Sequence, residues 1–148
     1  MLNIIAKLFV SLTICASTVF ALSVDDVKMF VEKGAALCEE KGNKVCFDAF
    51  NDPNGGFIKG ELYMFAYKFD GVNQSHGANP SIKGRNLFKL KDASGVLLIQ
   101  ALINVAKEKG NGWLDYKWSH PQTKKITPKT SYIMKLEGDY FIGAGMYK

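Results

Sequence analysis

The sequence predicts an α+β domain, with helices packed on an antiparallel sheet. Three observations carry this. Apolar residues recur at helical spacing between Ser23 and Lys41. After the turn signal Asp52–Gly56 the period shifts to two, the pattern of strands. The last third reads as three strands joined by short turns, and strands so joined run antiparallel.

Taken in order, Ser23 to Lys41 is the first predicted helix. Ser23 is a good N-cap, and Asp26 three residues on completes a near capping box. Val24, Val27, Val31, Ala35 and Cys38 fall on one face, which gives that helix an apolar stripe to bury. Gly42 suits the C′ position that ends it, and Asn43 can cap a short second helix, "KVCFDAFND". "ELYMFAYKFDG" then reads as a strand with Leu62, Met64 and Ala66 on one face and Tyr63, Phe65, Tyr67 and Phe69 on the other. Asp70–Gly71 is a favoured two-residue hairpin turn, and "VNQSHG" is the returning strand. "ANPSIKGRNLFKL" is irregular, broken by Pro80 and Gly84. "ASGVLLIQALINVAKEKGNG" is a helix to about Lys109, with Ser94 as its possible cap. "GWLDYKWSH" places Leu114, Tyr116 and Trp118 on one side and Trp113, Asp115 and Lys117 on the other. "ITPKTSYIMKLEG" and "DYFIGAGMYK" complete a meander around a turn at Glu137 to Asp139.

Residues 1–21 are set apart. One positive charge (Lys7), an apolar run from Leu8 to Phe20 and the small residue Ala21 form the pattern of a secretory signal peptide. The run is about 13 residues, against about 20 for a bilayer-spanning helix, which disfavours an uncleaved anchor. A cleaved leader leaves residues 22–148 as one exported domain in the periplasm or outside the cell. An oxidising compartment makes a Cys38–Cys46 disulfide plausible, the alternative being two buried thiols. A metal site is not expected, because no histidine lies near these cysteines.

The net charge of +5 is mild, and the lysines are spread along the chain. Arginine, which best reads phosphate and guanine, occurs once, at Arg85. A nucleic-acid partner is therefore not expected. Neither are a cofactor or a catalytic site: there is no G-x-S-x-G, no H-E-x-x-H and no phosphate loop before a helix. Ser131 with His76 is the one nucleophile–base pair worth checking. The aromatic stretches point elsewhere. Tyr63, Tyr67, Tyr116, Trp118 and Tyr132 each carry an apolar body and a hydrogen-bond donor. Around one cavity they would form a small-ligand site, with Lys129 or Arg85 as counter-charge to an anion. The plainer alternatives are packing against the first helix, for the aromatics, and a solvated lysine after Pro128, for Lys129.

Eight stretches, in order "FNDP", "YKFDG", "HGANP", "GRNL", "KDASG", "GWLDYKW", "PKTSY" and "GAGMYK", resemble the single Cache domain, a PAS-like extracytoplasmic sensor module of bacterial chemoreceptors and sensor kinases. Together they cover nearly all of residues 22–148. The resemblance implies a long N-terminal helix on a central antiparallel sheet of about five strands. It also implies a pocket on the other face for a small organic anion such as acetate, propionate, lactate or pyruvate. Carried over by position, the pocket residues are Tyr63, Phe65, His76, Asn79, Tyr116, Trp118, Lys129 and Tyr132. Such receptors continue into a membrane helix and an output region, whereas this sequence stops at Lys148. The expectation is a free-standing sensor domain that hands its liganded state to a membrane-bound signalling protein. The resemblance leaves open whether it forms a homodimer through its long helix. The competing expectation is an accessory module whose pocket is degenerate and filled by side chains.

Overall fold

The computed structural model describes residues 21–148; residues 1–20 of the predicted leader therefore lie outside the described residues. Helix α1 spans Val24–Lys41. It begins with the expected capping box: Ser23 Oγ accepts from Asp26 N, and the Asp26 carboxylate accepts from Ser23 N. Gly42, at φ 81°, both ends α1 and opens α2 (Asn43–Asn51), so Asn43 is the first residue of that helix rather than its cap. The Cys38–Cys46 disulfide clamps the two helices together.

The predicted single strand from Glu61 divides in two. Strand β1 (Ile58–Lys59) pairs with β2 (Leu62–Tyr63) in a small hairpin, and β3 (Phe65–Lys68) joins the main sheet. Met64 is the junction: its N–H bonds to Phe57 O and its carbonyl accepts from Gly77 N. The face alternation survives the break. Leu62, Met64 and Ala66 pack under α1 and α2, while Tyr63, Phe65 and Tyr67 point to the opposite core.

The turn leading to β4 (Asn73–His76) is closed by the Lys68–Val72 pair and holds three residues, Phe69–Gly71, rather than two. Lys68 N bonds Val72 O, Asp70 Oδ1 accepts from Val72 N, and Gly71 takes φ 90°, a conformation that favours glycine. A connecting segment over 77–97, with one 3₁₀ turn at Pro80–Ile82, leads to α3 (Leu98–Lys109). Ser94 does not cap α3. Asp92 Oδ1 accepts from Ser94 N and Val96 N, so Ser94 belongs to a turn that precedes the helix.

Strands β5 (Asn111–Ser119), β6 (Ile126–Lys135) and β7 (Tyr140–Tyr147) form the predicted antiparallel meander. The main sheet runs β4-β3-β7-β6-β5. One face buries Val27, Phe30 and Val31 of α1 and Phe47 and Phe50 of α2. The other carries Leu98, Ile99, Leu102 and Ile103 of α3. The antiparallel sheet is thus covered by helices on both faces. Among the described residues no helix is long and apolar enough to cross a membrane.

Candidate functional site

The register of the meander builds the site. Lys129 on β6 faces Tyr116 on β5 and Tyr147 on β7. These three side chains form a row across the sheet, on the face opposite α1. One step along, Ser131 sits opposite Gly145. A Cβ at Gly145 would lie 2.9 Å from Lys129 Cε and would strike Ser131 Oγ. Glycine there leaves the space through which the lysine stem runs. Tyr63 of β2 and Phe65 of β3 close over the amine.

Lys129 is fully buried, and among the described residues its Nζ has no hydrogen-bond partner. It lies 4.0 Å from the Tyr63 ring centre, 4.8 Å from that of Tyr147 and 6.0 Å from that of Phe65. Ring faces attract a cation but accept none of its three N–H bonds well. Burial pulls the Lys129 amine down to about 7, with only the more distant Glu61 carboxylate acting in the other direction.

The neighbouring polar groups are mostly committed. Tyr147 donates to Ser119 O at 2.9 Å, which uses its single O–H. Tyr63 must therefore donate to Tyr147, at 3.1 Å. Tyr116 and Ser131 hydroxyls share one hydrogen bond of 2.9 Å. Two O–H groups with one bond between them leave one proton free to donate. Desolvation raises Tyr63 and Tyr116, so both stay protonated. His76 Nδ1 accepts from Asn79 N at 3.1 Å, and burial pushes the ring down to about 3, reinforced by Lys129. His76 is thus neutral, with its ring 5.0 Å from that of Tyr63. Ser131 pairs with Tyr116 and not with His76, so the nucleophile–base pair worth checking is not a hydrogen-bonded pair.

Tyr63, Phe65, His76, Tyr116 and Trp118 line one cavity, closed by Leu98, Ile99 and Leu102 of α3. Lys129 stands beside it under Tyr63. The space open to water centres there is about 10 Å³, roughly one water molecule. A larger groove of about 600 Å³ adjoins it, sharing Tyr63, His76 and Trp118 and bounded by Asn79, Arg85 and His120. Asn79 therefore belongs to the groove rather than to the inner cavity. Tyr132 is the correction. It packs among α1-side residues, 5.2 Å from Trp113, on the opposite face of the sheet. Strand parity gives the reason: residues three apart point to opposite faces, so Lys129 and Tyr132 cannot share one.

The residue that sequence reading missed is Tyr147, which supplies the third wall of the lysine cage. The signal for it was present, since Tyr147 lies at even spacing from Gly145 and Gly143 on a predicted strand. What the sequence withheld was the pairing that sets it beside Lys129. His120 was also missed. Its Nδ1 accepts from Gln122 N and Thr123 N, which places the proton of a neutral ring on Nε2, facing Glu61 Oε2 at 2.9 Å. The ring packs 4.6 Å from Tyr147.

The site thus sits on a five-stranded antiparallel sheet, with a helical pair on one face and an aromatic cavity under α3 on the other. The chain belongs to the Cache domain family, whose model matches residues 31–148. It is 36% identical over 86 residues to the sensor histidine kinase MctS of Rhizobium johnstonii. That match covers 57% of this chain and 18% of the kinase, so the chain spans only a fraction of its relative's length. A methyl-accepting chemotaxis protein from Vibrio parahaemolyticus superposes with TM-score 0.73 at 26% identity, over 83% of this chain and 86% of that one. A Cache chemosensory domain solved for its carboxylic acid recognition superposes with TM-score 0.65 at 20% identity, over 81% and 84%. The last shows a shared fold.

Proposed function

We propose that this chain is an exported sensor domain that binds a short organic carboxylate through Lys129, the domain beginning after a leader cleaved at Ala21. The observation that carries the reading is the buried Lys129 amine, enclosed by three rings and lacking any acceptor among the described residues. A buried cation without a partner is costly, and a ligand carboxylate would supply the missing acceptor. The free proton of the Tyr116–Ser131 pair offers a second donor. Leu98, Ile99 and Leu102 would receive the ligand's apolar remainder. The carboxylic-acid-recognising neighbour supports the ligand class by analogy of fold. In this reading the liganded state is passed to a membrane-bound signalling protein.

The test is thermal unfolding with acetate, propionate, lactate and pyruvate, since a ligand of the native state raises the midpoint by mass action. We expect at least one to raise it in a concentration-dependent way. Four flat responses would remove the carboxylate reading.

A second reading has one observation in its favour: the inner cavity holds only about 10 Å³ for water centres. A domain with a filled pocket would act through a protein surface instead. Exchange of that space with a carboxylate, seen as new density beside Lys129 in crystals soaked with propionate, would exclude it.

A further inference from the structure

We propose that carboxylate binding at Lys129 is coupled to the uptake of a proton, so that anion and proton enter the site as a pair. This rests on the carboxylate reading above.

The geometry is of a cage without a counter-ion. Among the described residues, no carboxylate lies within hydrogen-bond reach of Lys129 Nζ. Each element packed against the amine brings groups that do not hold its charge. From β2, β5 and β7 come Tyr63, Tyr116 and Tyr147, all displaced towards the neutral phenol. The β4 strand brings His76, a neutral ring. The β1–β2 turn brings Glu61, which is bonded to His120 of the β5–β6 turn and reaches the amine only as a distant field. Helix α3 brings aliphatic side chains. Desolvation therefore dominates, and the empty site releases the lysine proton near neutral pH.

A carboxylate reverses this. An opposite charge in contact favours the charged form of the amine and raises its pKa. Above about pH 7 the empty cage holds largely the amine, and the occupied cage holds the ammonium. The site gains one negative and one positive charge together, and its net charge does not change. A dry aromatic cage accepts an anion on those terms at far lower desolvation cost than it would accept the anion alone. The domain then responds to the product of anion and proton concentrations, so acidification at constant carboxylate increases occupancy.

The experiment has two arms on the same protein. In the first, urea unfolding of the ligand-free protein is followed from pH 7.5 to 9. Lys129 has a folded pKa below its unfolded one, so across this window the unfolded chain binds more protons, and stability rises with pH. The unfolding constant should fall by up to about tenfold per pH unit relative to Lys129→Met, with Lys129→Gln as a second reference. In the second arm, propionate binding is measured by calorimetry at pH 8.5 in buffers of different ionisation enthalpy. The expected slope is uptake of close to one proton, with affinity falling about tenfold per pH unit above 7.

A ligand-free profile identical to that of both variants overturns the proposal, since the lysine then keeps its proton. So does binding whose heat is independent of buffer. A rising ligand-free profile with no binding of any of the four carboxylates fails differently. It removes the carboxylate reading, and the coupling with it, and leaves a titrating lysine that awaits another ligand.

Discussion

Lys129 and His76 are two basic residues that the fold holds without charge or without a partner, and each gives a measurable consequence. Truncation of Lys129 to alanine removes the charged donor while leaving the strand pairing of β6 untouched. We expect Lys129→Ala to fold and to lose the carboxylate-induced rise in unfolding temperature. The affinity loss should be roughly ten- to a hundredfold, the range for a hydrogen bond to a charged group. An undiminished shift would take Lys129 out of the site. For His76, burial sets the folded ring at about 3 against an ordinary 6.5. Between those values the unfolded chain binds the proton and the folded chain does not, so stability rises with pH across the window and is lost as pH falls. Acid titration should therefore cost the wild type on the order of a few kcal/mol between pH 6.5 and 3.5. A His76→Gln variant should show a shallower loss in chemical denaturation at matched pH. Equal slopes would mean that the ring is charged in the fold.

At the scale of the element, the helices were the most legible part. Ser23 with Asp26 reads as a capping box in the sequence and is one in the structure. Ser23→Ala should cost about 1 kcal/mol in urea unfolding, the ordinary value of a lost cap. The clamp between α1 and α2 depends on Cys38–Cys46. The closed loop is short, with a sequence separation of 8, so chain entropy gives about 2.5 kcal/mol for reduction. Denaturation with and without reductant checks that, and a difference near zero would mean that packing alone holds the helices. Strands were legible in their alternation and not in their partners. The periodicity around Met64 assigns correct faces on both sides of a break it does not reveal. The break arises because Met64 bonds Phe57 and Gly77, which flank the strands, in place of a ladder partner, a tertiary event. Ser94 shows the same limit: its capping role was taken by a turn that Asp92 organises.

For the whole molecule, the question is how an anion reaches a cavity that admits about one water. Helix α3 forms its outer wall and the 77–97 segment bounds the adjoining groove, while the sheet forms a continuous hydrogen-bonded floor. Loops open at lower free energy than paired strands, so the wall yields first. Hydrogen exchange should show protection increasing over 77–97 with propionate, and little change in β6 and β7. Slowing confined to the sheet would place the path elsewhere.

Local order in the chain sets which residues are apolar, at what period, and where the chain turns. That suffices for an α+β domain with Tyr63, Phe65, Tyr116 and Trp118 on inward faces, and local patterning carries such information because each element has its own repeat. It could also have excluded Tyr132 by parity. That Tyr116, Lys129 and Tyr147 stand in one row follows from folding alone, because strand register is a relation between distant segments. The same holds for the state of Lys129. A lysine after a proline reads as solvated, and it becomes a buried amine without a partner only when β2, β3 and β7 close over it.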